Sequence, residues 1–190
     1  MTSDKTKRAL VVIDIQNDYF PSFDGSKMPL PNMETATKNA AKLIDHARAQ
    51  GVPIFHIRHI ATSTAAPFFH PNTEGSETHP DVKPANDETI ILKNRPNSFQ
   101  NTDLDAKLKA ANVDDLVLCG AMSQMCVDAT ARHAVDAGYS VTIAHDACAA
   151  ANVEYDGVSV PAAQVHAAIM APLAAAYATV TTTQGVLDVA

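Results

Sequence analysis

At 190 residues the chain suits one compact domain, 1–190, whose core is large enough to need no disulfide or metal. Hydrophobic residues make up 46% and charged residues 18%, and the formal net charge is −7; this excludes extended disorder and argues against a nucleic-acid binder that tracks phosphates. No apolar run approaches a membrane span, the opening MTSDKTKR is polar rather than a signal peptide, and three cysteines without framework spacing suit a reducing compartment, so a cytoplasmic location is expected.

Taken in chain order, RALVVIDI is a continuous apolar, β-branched run, the pattern of a strand buried on both faces. METATKNAAKLIDHARAQG follows as a helix, with Ala36, Ala40, Leu43, Ile44 and Ala47 at helical spacing and Gly51 suited to its C-cap. VPIFHIRHI is the next strand. The piece 61–87, ATSTAAPFFHPNTEGSETHPDVKPAND, is rich in Pro, Thr and His and has little periodicity. Loops of such length are functional covers or disordered insertions, and Phe68 and Phe69 favour a packed lid. ETIILK reads as a third strand, and TDLDAKLKAANV as a short helix with Thr102 as N-cap and Asp105 three residues on. DLVLCG is a strand, CVDATARHAVDAGY a helix closed by Gly138, and YSVTIAHD a further strand. VPAAQVHAAIMAPLAAAY is an Ala-rich helix with Pro161 fitting its first turn, and YATVTTT is a weaker last strand. Strands alternating with helices predict an α/β domain, a parallel sheet sandwiched between two helical layers. No repeat or linker divides the chain.

Ligands of open α/β sheets bind beyond the carboxyl ends of the strands. Asp14 closes the first strand, Lys93 closes ETIILK, and Cys126 follows DLVLCG at a helix entrance. The sheet would therefore point a carboxylate, an ammonium and a thiol into one crevice. Lys93 and the helix dipole would lower the thiol pKa, and Asp14 would take its proton. Backbone N–H groups of AMSQMC would face the oxygen of an attacked carbonyl. Each residue also has a structural reading: a turn-capping Asp, a solvated rim Lys, an inert packed Cys. Spacing alone does not choose between them.

The segments ALVVIDIQNDYF, LKNRPNSFQNTDLDAKL and LVLCGAMSQMCVDATARHAVDAGYSVTIAHDACA, in that order, resemble the isochorismatase-like cysteine hydrolases, a family that includes nicotinamidases and carbamoylsarcosine amidases. The resemblance spans nearly the whole chain, with a core over 8–182. It implies a Rossmann-like, six-stranded parallel sheet of order 3-2-1-4-5-6, so that the first and fourth strands flank the switch point. It implies a catalytic triad of Asp14, Lys93 and Cys126, a non-proline cis peptide at Ala121–Met122, and an oxyanion hole made by the Met122 and Cys126 amides. Cys119 and Cys148 then suit packing. It further implies a homo-oligomer, with the helix after Cys126 and the last helix as candidate interfaces, and a small-molecule substrate, with neither nucleic acid nor membrane as partner.

Within that family, enzymes that cleave a vinyl ether by protonation typically lack the cysteine, so Cys126 favours hydrolysis of a small amide, ureide or lactam C–N bond. The alternatives are isochorismatase-type ether hydrolysis with Asp14 as proton donor, or a non-catalytic fold carrying a sensor thiol. Nicotinamidases of the family hold a metal through an Asp-x-His pair. Here the segment is FHIRHIATS, with Arg58 near the metal-binding Asp position and His56 and His59 on opposite strand faces. No metal and no cofactor are expected, although His70 and His79 remain conceivable zinc ligands. Arg58 would suit a substrate carboxylate or carbonyl. Gln16, on Asp14's side by strand alternation, would orient Lys93 or substrate, or else bond a turn. Phe20, Phe68 and Phe69 are candidate pocket walls. Asn97, Ser98 and Phe99 match a family segment without an assigned role, as Glu154, Tyr155 and Asp156 have none.

Overall fold

The apolar runs of the sequence become neighbours in one parallel sheet. The structure, a computed structural model, describes residues 7–63 and 65–189. The lead-in at 1–6 and Thr64, inside the expected lid, lie outside the described residues. Strands β1 (Arg8–Ile13), β2 (Ile54–His59), β3 (Thr89–Lys93), β4 (Asp115–Ala121) and β5 (Ser140–Ala149) are connected by helices α1 (Met33–Gln50), α2 (Leu104–Ala110) and α3 (Asp128–Asp136), except that β2 runs to β3 through the 61–87 segment without an α-helix. A hairpin, β6 (Val153–Tyr155) and β7 (Val158–Val160), precedes α4 (Ala162–Ala176), β8 (Thr179–Thr181) and α5 (Thr183–Leu187). The six-stranded sheet has the order β3-β2-β1-β4-β5-β8, which is the expected order with the sixth sheet strand renumbered by the hairpin.

Strand alternation divides the core. Leu10, Val12, Val117 and Cys119 pack toward α1 and α5, while Ala9, Val11, Leu116 and Leu118 pack toward α2, α3 and α4. Both faces of β1 and β4 are covered, which is why these strands read as unbroken apolar runs. Each fully buried Val or Leu contributes about 1.5–3 kcal/mol of transfer free energy. α1 ends as its sequence predicts, with Gly51 at φ +65° closing the last turn.

Two helix starts differ from expectation. α2 begins one residue later, with Asp103 rather than Thr102 at the N-cap. The Thr102 hydroxyl donates to the Ser98 carbonyl at 2.6 Å and accepts a long contact from the Leu104 amide at 3.4 Å, so it reaches the helix start from one residue before the cap. Pro161 stands at the N-cap of α4 with extended backbone (ψ 147°) rather than within its first turn.

The 61–87 segment is packed. Phe69 and Ser76 are fully buried, Phe68 is half-buried, and two short 3-10 turns, Glu74–Ser76 and Pro80–Val82, shape it. It is fastened by Asn17 Nδ2 donating to the Glu74 carbonyl (2.8 Å), by the Phe69 amide donating to Asp18 Oδ2 (2.8 Å), and by Arg58. At its end Glu88 meets Arg48 of α1 (2.7 Å) and His56 of β2 (2.8 Å). Among the described residues no helix is long and apolar enough to cross a membrane.

β4 lies against β1 at Gly120, whose φ of +124° lies outside the range of L side chains. A Cβ there would collide with the Ile13 carbonyl oxygen. Replacing Gly120→Ala combines left-handed backbone strain with a backbone clash and is expected to cost at least about 3 kcal/mol. Chemical denaturation measures this; a variant within about 1 kcal/mol of the natural protein would contradict the contact.

Candidate active site

The carboxyl ends of β1 to β4 meet in one crevice. β1 stops at Ile13, and Asp14 takes φ +50°, which breaks strand alternation and turns its carboxylate inward. Lys93 is the last residue of β3, the edge strand, and must cross two strand spacings, roughly 10 Å, to reach β1. Only a long side chain can do this. Its Nζ lies 2.6 Å from Asp14 Oδ2, and both side chains are fully buried. The same ammonium contacts Cys126 Sγ at 3.2 Å, His59 Nδ1 at 3.2 Å and the Arg95 carbonyl at 3.1 Å. Asp14 Oδ1 is buried without a hydrogen-bond partner among the described residues.

Cys126 is carried on a wide π-turn, Ser123–Val127, that leads directly into α3. It is 4% exposed. The Met122 carbonyl accepts from the amides of Met125 (3.0 Å) and Val127 (3.1 Å), passing over the Cys126 amide between them. The Ala121–Met122 peptide is cis.

The electrostatics reverse one expectation. Burial first, then the Asp14 charge, push the Cys126 thiol up to about 12, and Lys93 pulls against them without prevailing. The cation expected to lower the thiol is already committed to a carboxylate. Burial alone would pull Lys93 down, but Asp14 and Cys126 outweigh it and hold the ammonium above the usual lysine range. His59 is pulled down by burial and by Lys93, so it is a neutral acceptor. Cys119 and Cys148 are buried in the core, the latter also pushed up to about 12 by burial.

Asp14, His59 and Cys126 each offer a ligand atom within 4.8 Å of the others, so they form a candidate cation cluster. The Lys93 ammonium already lies against all three, at 2.6 to 3.2 Å. A divalent ion would have to displace a buried cation, and the donor set does not fit a metal. His70 and His79 serve local structure: His70 Nε2 meets the Ala66 carbonyl, and His79 stacks on Phe20 at 3.8 Å.

The expected substrate contacts are otherwise employed. Arg58 donates to the Ser76 carbonyl (3.0 Å) and Glu77 (2.7 Å), because alternation along β2 puts it on the face opposite His59. Gln16 spends its amide on the His59 amide and carbonyl and on the Ser76 carbonyl, at 2.8 to 2.9 Å, so it has no group left for Lys93. Phe20 and Phe69 are core residues, 1% and 0% exposed. Two residues to which the sequence assigned no role in the site lie here. His59 ends β2 in register with Lys93, and the strand-end rule alone would have found it. Tyr19, edge-on to Phe69 at 4.6 Å, has its phenol held well up by burial and then by Cys126, Asp14 and Asp18; no period in the sequence marks it. A wider groove of about 1040 Å³, lined by Lys7, Arg8, Leu43 and Thr179, opens at the amino ends of the strands and holds none of these groups.

The family model of the isochorismatase domain matches residues 8–185. The chain is 53% identical over 179 residues to the uncharacterized isochorismatase family protein YddQ of Bacillus subtilis, covering 94% of this chain and 98% of that one. A crystal structure from Oleispira antarctica, assigned to the isochorismatase hydrolases, superposes with a TM-score of 0.94 at 46% identity over 99% of both chains. Streptothricin hydrolase of Streptomyces noursei is 33% identical over 74% of this chain and 49% of its own. N-carbamoylsarcosine amidase of an Arthrobacter species is 29% identical over 69% of this chain and 55% of its own.

The charge arrangement predicts how the thiol titrates. In the ultraviolet difference between the natural protein and C126A, thiolate absorbance is expected only toward pH about 12. In D14N the anion that opposes ionisation is gone while Lys93 remains, so the midpoint falls. A midpoint unchanged or raised in D14N would show that Asp14 does not govern the thiol.

Proposed function

This chain belongs to the isochorismatase family of hydrolases, and from that premise we propose that it is a cysteine-dependent amidohydrolase acting on a small carboxamide, ureide or lactam. The observation that carries this reading is the Lys93 ammonium in contact with both the Asp14 carboxylate (2.6 Å) and the Cys126 sulfur (3.2 Å) in a buried crevice. A proton acceptor, a nucleophile and a fixed cation are the parts acyl transfer needs.

The resting nucleophile is a thiol, so attack and proton transfer are coupled. Cys126 Sγ bonds to the substrate carbonyl carbon as Asp14 takes the S–H proton on Oδ1, the carboxylate oxygen other than the one Lys93 holds at 2.6 Å. The carbonyl electron pair moves to oxygen, where the Met122 and Cys126 amides stabilise it. As the C–N bond breaks, Asp14 returns the proton to the leaving nitrogen, and a thioester remains. Asp14 then takes a proton from water as its oxygen attacks the thioester. The acid departs and the proton restores the Cys126 thiol. Lys93 stays charged throughout and fixes both partners. The near-complete burial of Cys126 supports a small substrate, and the 61–87 segment would form one wall of the entrance. The N-carbamoylsarcosine amidase relative supports amide-type C–N hydrolysis as the reaction, and the streptothricin hydrolase relative supports hydrolysis of a small molecule.

The test is ammonia and acid release from a panel of small amides, ureides and lactams, with and without chelator. We expect C126A and D14N each to lose at least about 1,000-fold in turnover, and chelator to have no effect. Turnover that survives in C126A but not in D14N would instead mean that protonation, as in ether cleavage, is the chemistry.

A further inference from the structure

The amides proposed to hold the oxyanion lie at a turn whose far end is anchored in the core by Cys126 and Val127 and whose near end needs its own tie. A π-turn is wide, and the residues at its middle, Gln124 and Met125, are half-buried and 44% exposed respectively, so neither ties it to the core. Its first residue, Ser123, is fully buried directly after Met122. Ser123 Oγ lies 3.2 Å from the Ala149 carbonyl on β5 and 2.9 Å from His166 Nδ1 on α4. A carbonyl can only accept and a hydroxyl has one proton. Both contacts are satisfied together only if Ser123 donates to Ala149 and His166 donates from Nδ1–H to Ser123. A relay from α4 to β5 therefore passes through the residue that adjoins Met122.

We propose that His166, acting through Ser123, is a positioning residue that aims the Met122 and Cys126 amides at the substrate oxygen. His166 touches neither substrate nor Cys126. Its ring borders a separate cavity of about 370 Å³, shared with His145, Asp146 and Cys148. Without its Nδ1–H, Ser123 Oγ loses its only donor among the described residues in a buried position, and the turn can relax toward an ordinary helical turn with its amides re-aimed. The effect is specific to chemistry that develops an oxyanion. Alkylation of the same sulfur at a saturated carbon develops none.

This inference rests on the reading of Cys126 as an acyl-accepting nucleophile, and the test separates the two. The natural protein, S123A, H166A and H166N are compared in two single-turnover reactions, with C126A as background. In the first, p-nitrophenyl acetate acylates the sulfur: an S–C bond forms, the C–O bond breaks and p-nitrophenolate leaves. In the second, iodoacetamide alkylates the sulfur and iodide leaves. We expect S123A and H166A to slow acylation about 10–100-fold while alkylation stays within about twofold. H166N, whose side-chain amide can donate from nearly the Nδ1 position, should recover most of the acylation rate. Acylation and alkylation falling together would mark a general structural role, and neither falling would remove His166 from the turn; both overturn the proposal. A natural protein that is alkylated but never acylated would overturn the acyl-transfer reading itself, and the positioning role with it.

Discussion

A fully buried ammonium is the constraint around which the rest of this structure is arranged. Taking a charge out of water costs several kcal/mol even after relaxation, and the cost is met only when partners surround it with good geometry. Lys93 has four such partners: the Asp14 carboxylate, the Cys126 sulfur, His59 Nδ1 and the Arg95 carbonyl. Three of them come from the ends of other strands and the fourth, the Arg95 carbonyl, lies two residues beyond Lys93 itself, so the charge is tolerable only when β3, β2, β1 and β4 stand side by side in this order. The requirement propagates outward. Asp14 must leave the strand conformation to face the ammonium, and Gly120 must let β4 come against β1 before the turn that presents Cys126.

The same constraint sets the chemical character of the thiol. An isolated lysine beside a cysteine would favour the thiolate. Here the carboxylate is nearer to the lysine than the sulfur is, so the local charge is nearly balanced and burial decides. The resting group is a protonated, buried thiol. Such an arrangement spares the sulfur from adventitious electrophiles, since reactivity toward them follows thiolate content.

The side chains around this centre work as fasteners. Gln16 holds the end of β2 and the Ser76 carbonyl together, Arg58 adds a second tie to the same carbonyl, and Asp18 pins the Phe69 amide. These bonds satisfy backbone groups that a buried loop would otherwise leave unpaired, which is what allows an irregular segment to lie against the core. Ser123 and His166 extend the pattern to the opposite side of the crevice, where α4 and β5 grip the turn before Cys126.

Much of this was legible in the sequence because it is written in local periodicity. The apolar runs of β1 to β5, the helical spacing in α1 and the Gly51 cap follow from alternation, the 3.6-residue period and the freedom of glycine, none of which needs a partner to be read. The strand-end rule likewise brought Asp14, Lys93 and Cys126 to one edge. Motif resemblance supplied the strand order and the position of the turn peptide. The tertiary structure decided what depends on which groups meet. Arg58 and Gln16 have the chemistry of substrate ligands, yet a positive φ at Asp14 and the parity of β2 turned them to the loop. The hairpin before α4, the role of His59 and the His166–Ser123 contact carry no period and span distant segments. The thiol's protonation was decided last, by competition between a carboxylate, an ammonium and burial, which only the assembled site brings together.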